Sequence, residues 1–366
     1  MKNKVHDFTD FLEQMAPLSS QESYDNSGLI VGNPNQEVSA VLLSLDCIEK
    51  TIDEAIEKGA NLIIAHHPIV FKGIKQLNGK NYVERTVIKA IKNDIAIYAI
   101  HTNFDNYKFG VNYEIAQRLG IKNPKILSLQ QNTLKKLVVF CPENSTEKVA
   151  EAIFKAGGGS IGEYSECRFE SSGTGAFTPS EHANPTLGTK GTRQKVAEKR
   201  MEILISSHEE RQIIKAMKKV HEYEEVAYEI YPISNSNQDE GAGMIGTFEK
   251  PIKTEEFLLF LKDTFNCEVI RHTKIHKKEI SKIAFCGGAG SFLLPDAIRE
   301  EADIYITGDF KYHEFFDADE KIIIADIGHY ESEQFTPNLI LGELQKNFIN
   351  FAFHLSKVNT NPINYF

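Results

Sequence analysis

The chain has 366 residues, 41% hydrophobic and 25% charged, a globular composition long enough for two or three domains with real cores. Its net charge of −10 leaves no basic footprint and argues against nucleic acid as a partner. No apolar run reaches the roughly 20 residues of a membrane helix, and Met1-Lys-Asn-Lys-Val-His-Asp7 is not of signal-peptide type, so a cytoplasmic location without a membrane partner is expected.

Val5 to Met15 has helical periodicity, with Phe8, Phe11, Leu12 and Met15 on one face. Ala40 to Leu45 reads as a strand ending at Asp46, and Glu49 to Lys58 as a helix closed by Gly59. Strand Leu62 to Ala65, helix Val83 to Asn93 and strand Ile95 to Ile100 follow. This alternation predicts a mostly parallel sheet, whose ligands gather outside the carboxyl ends of the strands.

From about residue 128 the character changes. Lys135 to Cys141 is a strand and Ser145 to Ala156 a helix with Ser145 or Thr146 as N-cap, ended by Gly157-Gly-Gly159. Irregular Gly- and Ser-rich sequence with strand-like pieces runs to Thr192, then strand Lys199 to Ser206, helix Glu209 to Val220 and strand Val226 to Tyr231. Two β-α-β passages in succession predict a ferredoxin-like module of about 100 residues. Ser234 to Gly243 is the linker candidate. Helix Thr254 to Phe265, strand Lys282 to Cys286, helix Leu293 to Ala302 and strands Ile304 to Thr307 and Ile322 to Ala325 complete the chain. The expected fold is α/β: a core of residues 1–127 and 240–366, split by an inserted α+β domain of residues 128–239.

Three apolar runs end in metal-type donors: His66 and His67; His101 and Asp105; His329 and Glu333. Imidazole is the commonest protein ligand for transition metals. His329 and Glu333 are spaced i, i+4, so a helix opening at Gly328 or His329 would project both from one face. The five side chains His66, His67, Asp105, His329 and Glu333 exceed the needs of one tetrahedral zinc and do not saturate two ions. Two divalent metals about 3.5–4 Å apart with open positions fit the count, a geometry suited to hydrolysis. Donors without thiolate suit zinc, iron, manganese or cobalt. The five scattered cysteines, Cys47, Cys141, Cys167, Cys267 and Cys286, form no CxxC pair, which argues against a disulfide framework and a thiolate zinc site. His101 is open to three roles: ligand, partner of a ligand, or acid/base facing substrate. His313 follows a strand and is either at the cavity or on a helix face. Cys286-Gly-Gly-Ala-Gly-Ser291 is either an anion-binding turn or an ordinary glycine-rich one.

The motifs Tyr24-Asp-Asn-Ser-Gly-Leu29, Ala65-His-His-Pro68, His101-Thr-Asn-Phe-Asp105, Cys286-Gly-Gly-Ala-Gly-Ser291, Thr307-Gly-Asp309 with His313, and Gly328-His-Tyr-Glu-Ser-Glu333 together resemble the Nif-three-like family of dinuclear-metal proteins, often labelled type 2 GTP cyclohydrolase I homologs. The central segment, with Pro185-Thr-Leu-Gly188, resembles the PII- or CutA-like insertion of longer members. The resemblance implies two metals held by His66, His67, Asp105, His329 and Glu333, Glu333 bridging, in a ring-shaped homohexamer with sites facing an internal cavity. Tyr24 stands where the family usually has Trp, and Asp309 where Glu is common; both departures bear on substrate detail. Two functions follow. One is a metal-dependent hydrolase acting on a small molecule such as a nucleotide, with GTP ring opening as an instance and His101 or His313 moving protons. The other is a non-enzymatic metal-binding or sensing oligomer that acts through the PII-like domain.

Overall fold

In the computed structural model, which describes residues 2–366, the chain opens with helix α1 (Val5–Met15). Val5, Phe8 and Leu12 recur at helical spacing and are fully buried, with the Phe8 ring stacked 4.4 Å from that of Phe348. Burying one such side chain contributes about 1.5–3 kcal/mol. Strand β1 (Gly28–Val31) precedes β2 (Val41–Ser44), α2 (Glu49–Glu57), β3 (Leu62–Ala65), α3 (Tyr82–Lys92) and β4 (Ala96–Ala99). Gly59, at φ 66°, closes α2 and donates its N–H to the Ile56 carbonyl. A single turn, α4 (Thr102–Asp105), leads into α5 (Val111–Leu119) and β5 (Lys122–Leu129).

Residue contacts divide the chain into two units, Gln130–Gln238 and the rest. Gln130–Gln238 contains β6 (Leu134–Pro142), α6 (Thr146–Lys155), β7 (Arg168–Phe177), β8 (Gln194–Ser206), α7 (Glu210–Val220) and β9 (Tyr228–Pro232). The strands form one antiparallel sheet in the order β7-β8-β6-β9. Alternate residues Leu137, Val139 and Cys141 of β6 and Met201, Ile203 and Ile205 of β8 bury one face against α6 and α7. Strand β8 starts at Gln194 rather than Lys199 and pairs along β7, a continuous strand where only strand-like pieces were expected. Ser171-Ser-Gly-Thr-Gly175 has low strand propensity, and ladder pairing overrides it.

The remaining elements belong with residues before 130: β10 (Gly241–Lys253), α8 (Thr254–Thr264), β11 (Arg271–His272), β12 (Glu279–Ala289), α9 (Leu294–Arg299), β13 (Ile304–Gly308), β14 (Ile323–Asp326), α10 (His329–Glu333), α11 (Thr336–Asn347) and β15 (Phe353–Leu355). The linker is shorter than expected, since Gly241 to Gly243 already pair in β10.

This unit holds two sheets, of which the first is the mostly parallel sheet that the alternation of its strands and helices predicts. The first runs β1-β4-β3-β2-β15, parallel except for β1. The second runs β11-β14-β13-β12-β10-β5, with β12, β13 and β14 parallel and the other three antiparallel. Leu62 and Ile64 of β3 and Ile283, Phe285, Ile304 and Ile306 of β12 and β13 join one core shared by both sheets, together with α1, α5, α8 and α11. The carboxyl ends of the parallel strands carry the donor residues. Among the described residues no helix is long and apolar enough to cross a membrane.

Candidate metal centre

His66 and His67 directly follow β3, whose four residues are all buried, and His66 is itself fully buried. His101 comes just after β4, and Asp105 ends the single turn α4. His329 and Glu333 open and close α10, so the i, i+4 spacing does set them on one face.

Four imidazoles are turned the same way. Each Nδ1–H donates to an acceptor: His66 to the Ile100 carbonyl (2.8 Å), His67 to Asp46 Oδ1 (2.7 Å), His101 to Asp25 Oδ1 (2.7 Å) and His329 to Asp309 Oδ2 (2.8 Å). A neutral ring protonated at Nδ1 presents a lone pair at Nε2. His67 Nε2 lies 3.0 Å and His329 Nε2 3.1 Å from Glu333 Oε2, and the two nitrogens are 3.3 Å apart. His66 Nε2 lies 3.8 Å from Glu333 Oε1 and 3.6 Å from Asp105 Oδ1. Lone pairs aimed at one another at these separations require positive charge between them.

The donor set passes a further test for a divalent ion. His66 Nε2 and Asp105 Oδ1 are buried without a hydrogen-bond partner, which costs free energy unless something binds them. The donor atoms fall into groups of three that all lie within 4.8 Å: His67, His329 and Glu333; His66, Asp105 and Glu333; and His66, His67 and His101. Glu333 belongs to the first two and turns a different oxygen to each, Oε2 to His67 and His329 and Oε1 to His66. An imidazole backed at Nδ1 by a carboxylate or carbonyl is the usual second layer of a metal site.

The electrostatics agree. Burial works against the Glu333 carboxylate, but the charges and hydrogen bonds of His329, His66 and His67 outweigh it and hold its pKa far below the ordinary range. Asp105 is pushed up by burial and by the Glu333 charge beside it. Burial opposes the charged form of His67, yet Asp46 and Glu333 raise its pKa to about 9. His329 is raised to about 11, chiefly by the Glu333 charge. The cluster holds cations strongly, and a divalent ion would displace these protons on binding.

The glycine-rich turn after Cys286 serves this cluster rather than a phosphate. It continues strand β12, and its N–H groups are taken by side chains: Gly287 donates to Asn112 Oδ1, Gly288 to Ser332 Oγ and Gly290 to Thr307 Oγ1. A Cβ on Gly288, which sits at φ 61°, would fall 2.4 Å from Glu333 Oε1. The glycine makes room for the carboxylate.

Above the donors opens a cavity of about 490 Å³. His67, His101, Asp105 and Glu333 line its floor, and the exposed rings of Tyr24, Phe71 and Phe292 stand in its wall. Asn361-Pro-Ile363 borders it, tied down by Thr360, whose hydroxyl donates to Asp46 Oδ2 at 2.5 Å. His313 is not brought to this cluster. It sits exposed on the 3-10 turn Tyr312–Ala318, beside the rings of Tyr312 and Phe316, and does not line the cavity. Sequence reasoning missed Asp25, Asp46 and Asp309 as orienting carboxylates. Asp46 and Asp309 carried a signal, since they follow β2 and β13 as the histidines follow their strands.

A family model for Duf34/NIF3 (NGG1p interacting factor 3) matches residues 3–362. The chain belongs to this family. The motif resemblance drawn from the sequence is to these proteins. A relative from Halalkalibacterium halodurans, named GTP cyclohydrolase 1 type 2 homolog, is 40% identical over 319 residues, covering 87% of this chain and 86% of that one. A relative of the same name from Bacillus subtilis is 37% identical over 359 residues, 96% of each chain. Among solved structures, a Bacillus cereus protein related to NIF3 superposes with a TM-score of 0.87 at 36% identity, covering 100% of both chains.

Proposed function

We propose that His66, His67, Asp105, His329 and Glu333 hold two divalent cations, zinc foremost with iron, manganese and cobalt as alternatives, and that the protein is a hydrolase acting on a nucleotide. The observation that carries this reading is Glu333, buried and shared between two donor groups with one oxygen toward each. Such a pair of cations, when bound, supplies Lewis acidity for hydrolysis. The chain itself does the rest. Asp25 fixes the His101 ring so that Nε2 is free to take or give a proton at the cavity floor. That assignment favours His101 over His313. Tyr24, Phe71 and Phe292 offer flat apolar faces to a heterocyclic base. The relatives' name makes opening of the GTP purine ring the first substrate to test.

The strand order of Gln130–Gln238 supports reading residues 128–239 as an inserted ferredoxin-like domain of PII/CutA type. The assembly we propose is a cytoplasmic homohexamer. A second reading, a metal-binding or sensing scaffold acting through that domain, draws support from the separate cavity the domain contains. Metal-loaded protein should be assayed against GTP and a nucleotide panel, alongside His67→Ala and Glu333→Ala variants. Turnover that vanishes in both variants supports the hydrolase. Full metal occupancy with no turnover on any nucleotide rejects it in favour of the scaffold.

A further inference from the structure

Within Gln130–Gln238, a second cavity of about 360 Å³ opens on the sheet face opposite α6 and α7. Parity along the strands puts Phe140, Gly175, Phe177 and Glu198 on that face, away from the Leu137, Val139, Met201 and Ile203 side. Phe140, Phe177, Pro185, Leu187 and Tyr223 give the cavity apolar walls. The wall formed by Pro185 and Leu187 is tied in place: the Thr186 hydroxyl donates to the Glu222 carbonyl at 2.7 Å, and the Asn184 N–H donates to Glu224 Oε2 at 2.9 Å.

Of the three carboxylates in the lining, Glu198, Glu224 and Glu225, Glu198 alone is buried. Glu198 is only 9% exposed, and its Oε1 accepts the Tyr223 hydroxyl at 2.8 Å. Oε2 has no hydrogen-bond partner and Glu198 no cationic partner among the described residues. The neighbouring imidazole does not supply the missing charge. His221 Nδ1 accepts the Tyr223 N–H (3.0 Å) while Nε2–H donates to the Phe140 carbonyl (3.1 Å), which is the neutral tautomer. Room for the carboxylate is built into the strand, since a Cβ on Gly175 would fall 2.1 Å from Glu198 Oε2. Glu225 adds a further acidic group to the lining.

A carboxylate on a side chain only 9% exposed, set among apolar walls without a counter-charge, is costly, and a bound cation offsets that cost. We propose that this cavity is a binding site for a compact organic monocation with an apolar body, its amidinium, guanidinium or ammonium group on Glu198 Oε2 and its body between Phe140, Phe177 and Leu187. The site lies outside the metal centre and none of the residues assigned there takes part in it.

The test uses the full chain, with benzamidine as probe and benzamide as its neutral isostere, followed by saturation-transfer NMR and calorimetry. Benzamidine should bind with a dissociation constant of about 1 mM or tighter, and benzamide at least about tenfold more weakly, the worth of one charge-assisted hydrogen bond. Glu198→Gln should lose about tenfold for benzamidine while its melting temperature stays within a few degrees of the parent. Should that variant fold poorly, Leu187→Ala, which trims the wall, must still weaken benzamidine. Glu333→Gln should leave binding unchanged. Equal binding of the two probes, no benzamidine binding up to about 10 mM, or an undiminished affinity in Glu198→Gln and Leu187→Ala would overturn the proposal.

Discussion

The two sheets of the larger unit deliver their donors by different routes. The first does so mostly at the strand ends themselves: His66 and His67 follow β3, His101 follows β4 and Asp46 follows β2, with Asp105 one turn further on at the end of α4. Their positions are set by the register of parallel strands buried on both faces. The second sheet works through a turn and a short helix. Gly328, at φ 93°, redirects the chain from β14 into α10, which then presents His329 and Glu333. Sheet register fixes the imidazole doublet, whereas local backbone chemistry and glycine clearance fix the carboxylate shared between the donor groups.

The largest expected effect falls where the two routes meet. Glu333→Gln should abolish binding of both cations and lower any turnover by at least about 10²-fold, read by elemental analysis and steady-state kinetics. His67→Ala, which removes a donor beside His329 and leaves the group of His66, Asp105 and Glu333 intact, should leave about half the metal content. Retention of both ions in either variant would contradict the shared-carboxylate geometry. The orienting carboxylates sharpen the comparison. Asp46→Asn should weaken metal affinity by about 10–100-fold, and Asp309→Asn by less, because Asp309 is half-exposed while Asp46 also anchors Thr360. Competitive chelator titration measures both.

Gly328→Ala isolates the second route. The added Cβ would meet Glu331 Oε2 at 2.1 Å at a φ that L-residues rarely adopt, so denaturation should show a loss of about 1–3 kcal/mol. The smallest effect belongs to the far end of the second sheet. Burial opposes the Asp303 carboxylate, but Lys277 and the N–H groups of Lys282 and Ser281 outweigh it and hold its pKa below the ordinary value. A depressed carboxyl pKa contributes stability that is complete above the unfolded value of about 3.9 and is lost as pH falls through the folded one. Asp303→Asn should therefore cost about 1–2 kcal/mol at neutral pH and narrow the gap to the parent below about pH 4, with metal content unchanged.

Legibility in the sequence followed the same division. Helix Val5–Met15 and strand Leu62–Ala65 were readable to the residue, because periodicity and apolar runs report burial directly. The antiparallel strands β1, β5 and β10 were not, since their pairing is set by partners far along the chain. Helices α5 and α11 also went unread, although Val111, Ile115 and Leu119 recur at helical spacing in α5. In the site, His66, His67, Asp105, His329 and Glu333 were legible as donors ending apolar runs. Their orienting partners were not, because Asp25 lies in a loop, and Asp46 and Asp309, though they follow strands, meet their histidines only through the tertiary fold. His313 shared the strand-end pattern of the donors, but the chain turns outward after Gly308 and carries it to the surface.

The most direct measurement is anomalous scattering from crystals of metal-replete protein, collected on both sides of the absorption edge of the loaded ion. Two peaks about 3.5–4 Å apart, with Glu333 touching both and His66 and His67 divided between them, are the predicted result. A single peak held by the histidines without Glu333, or no peak at this cluster, would contradict it.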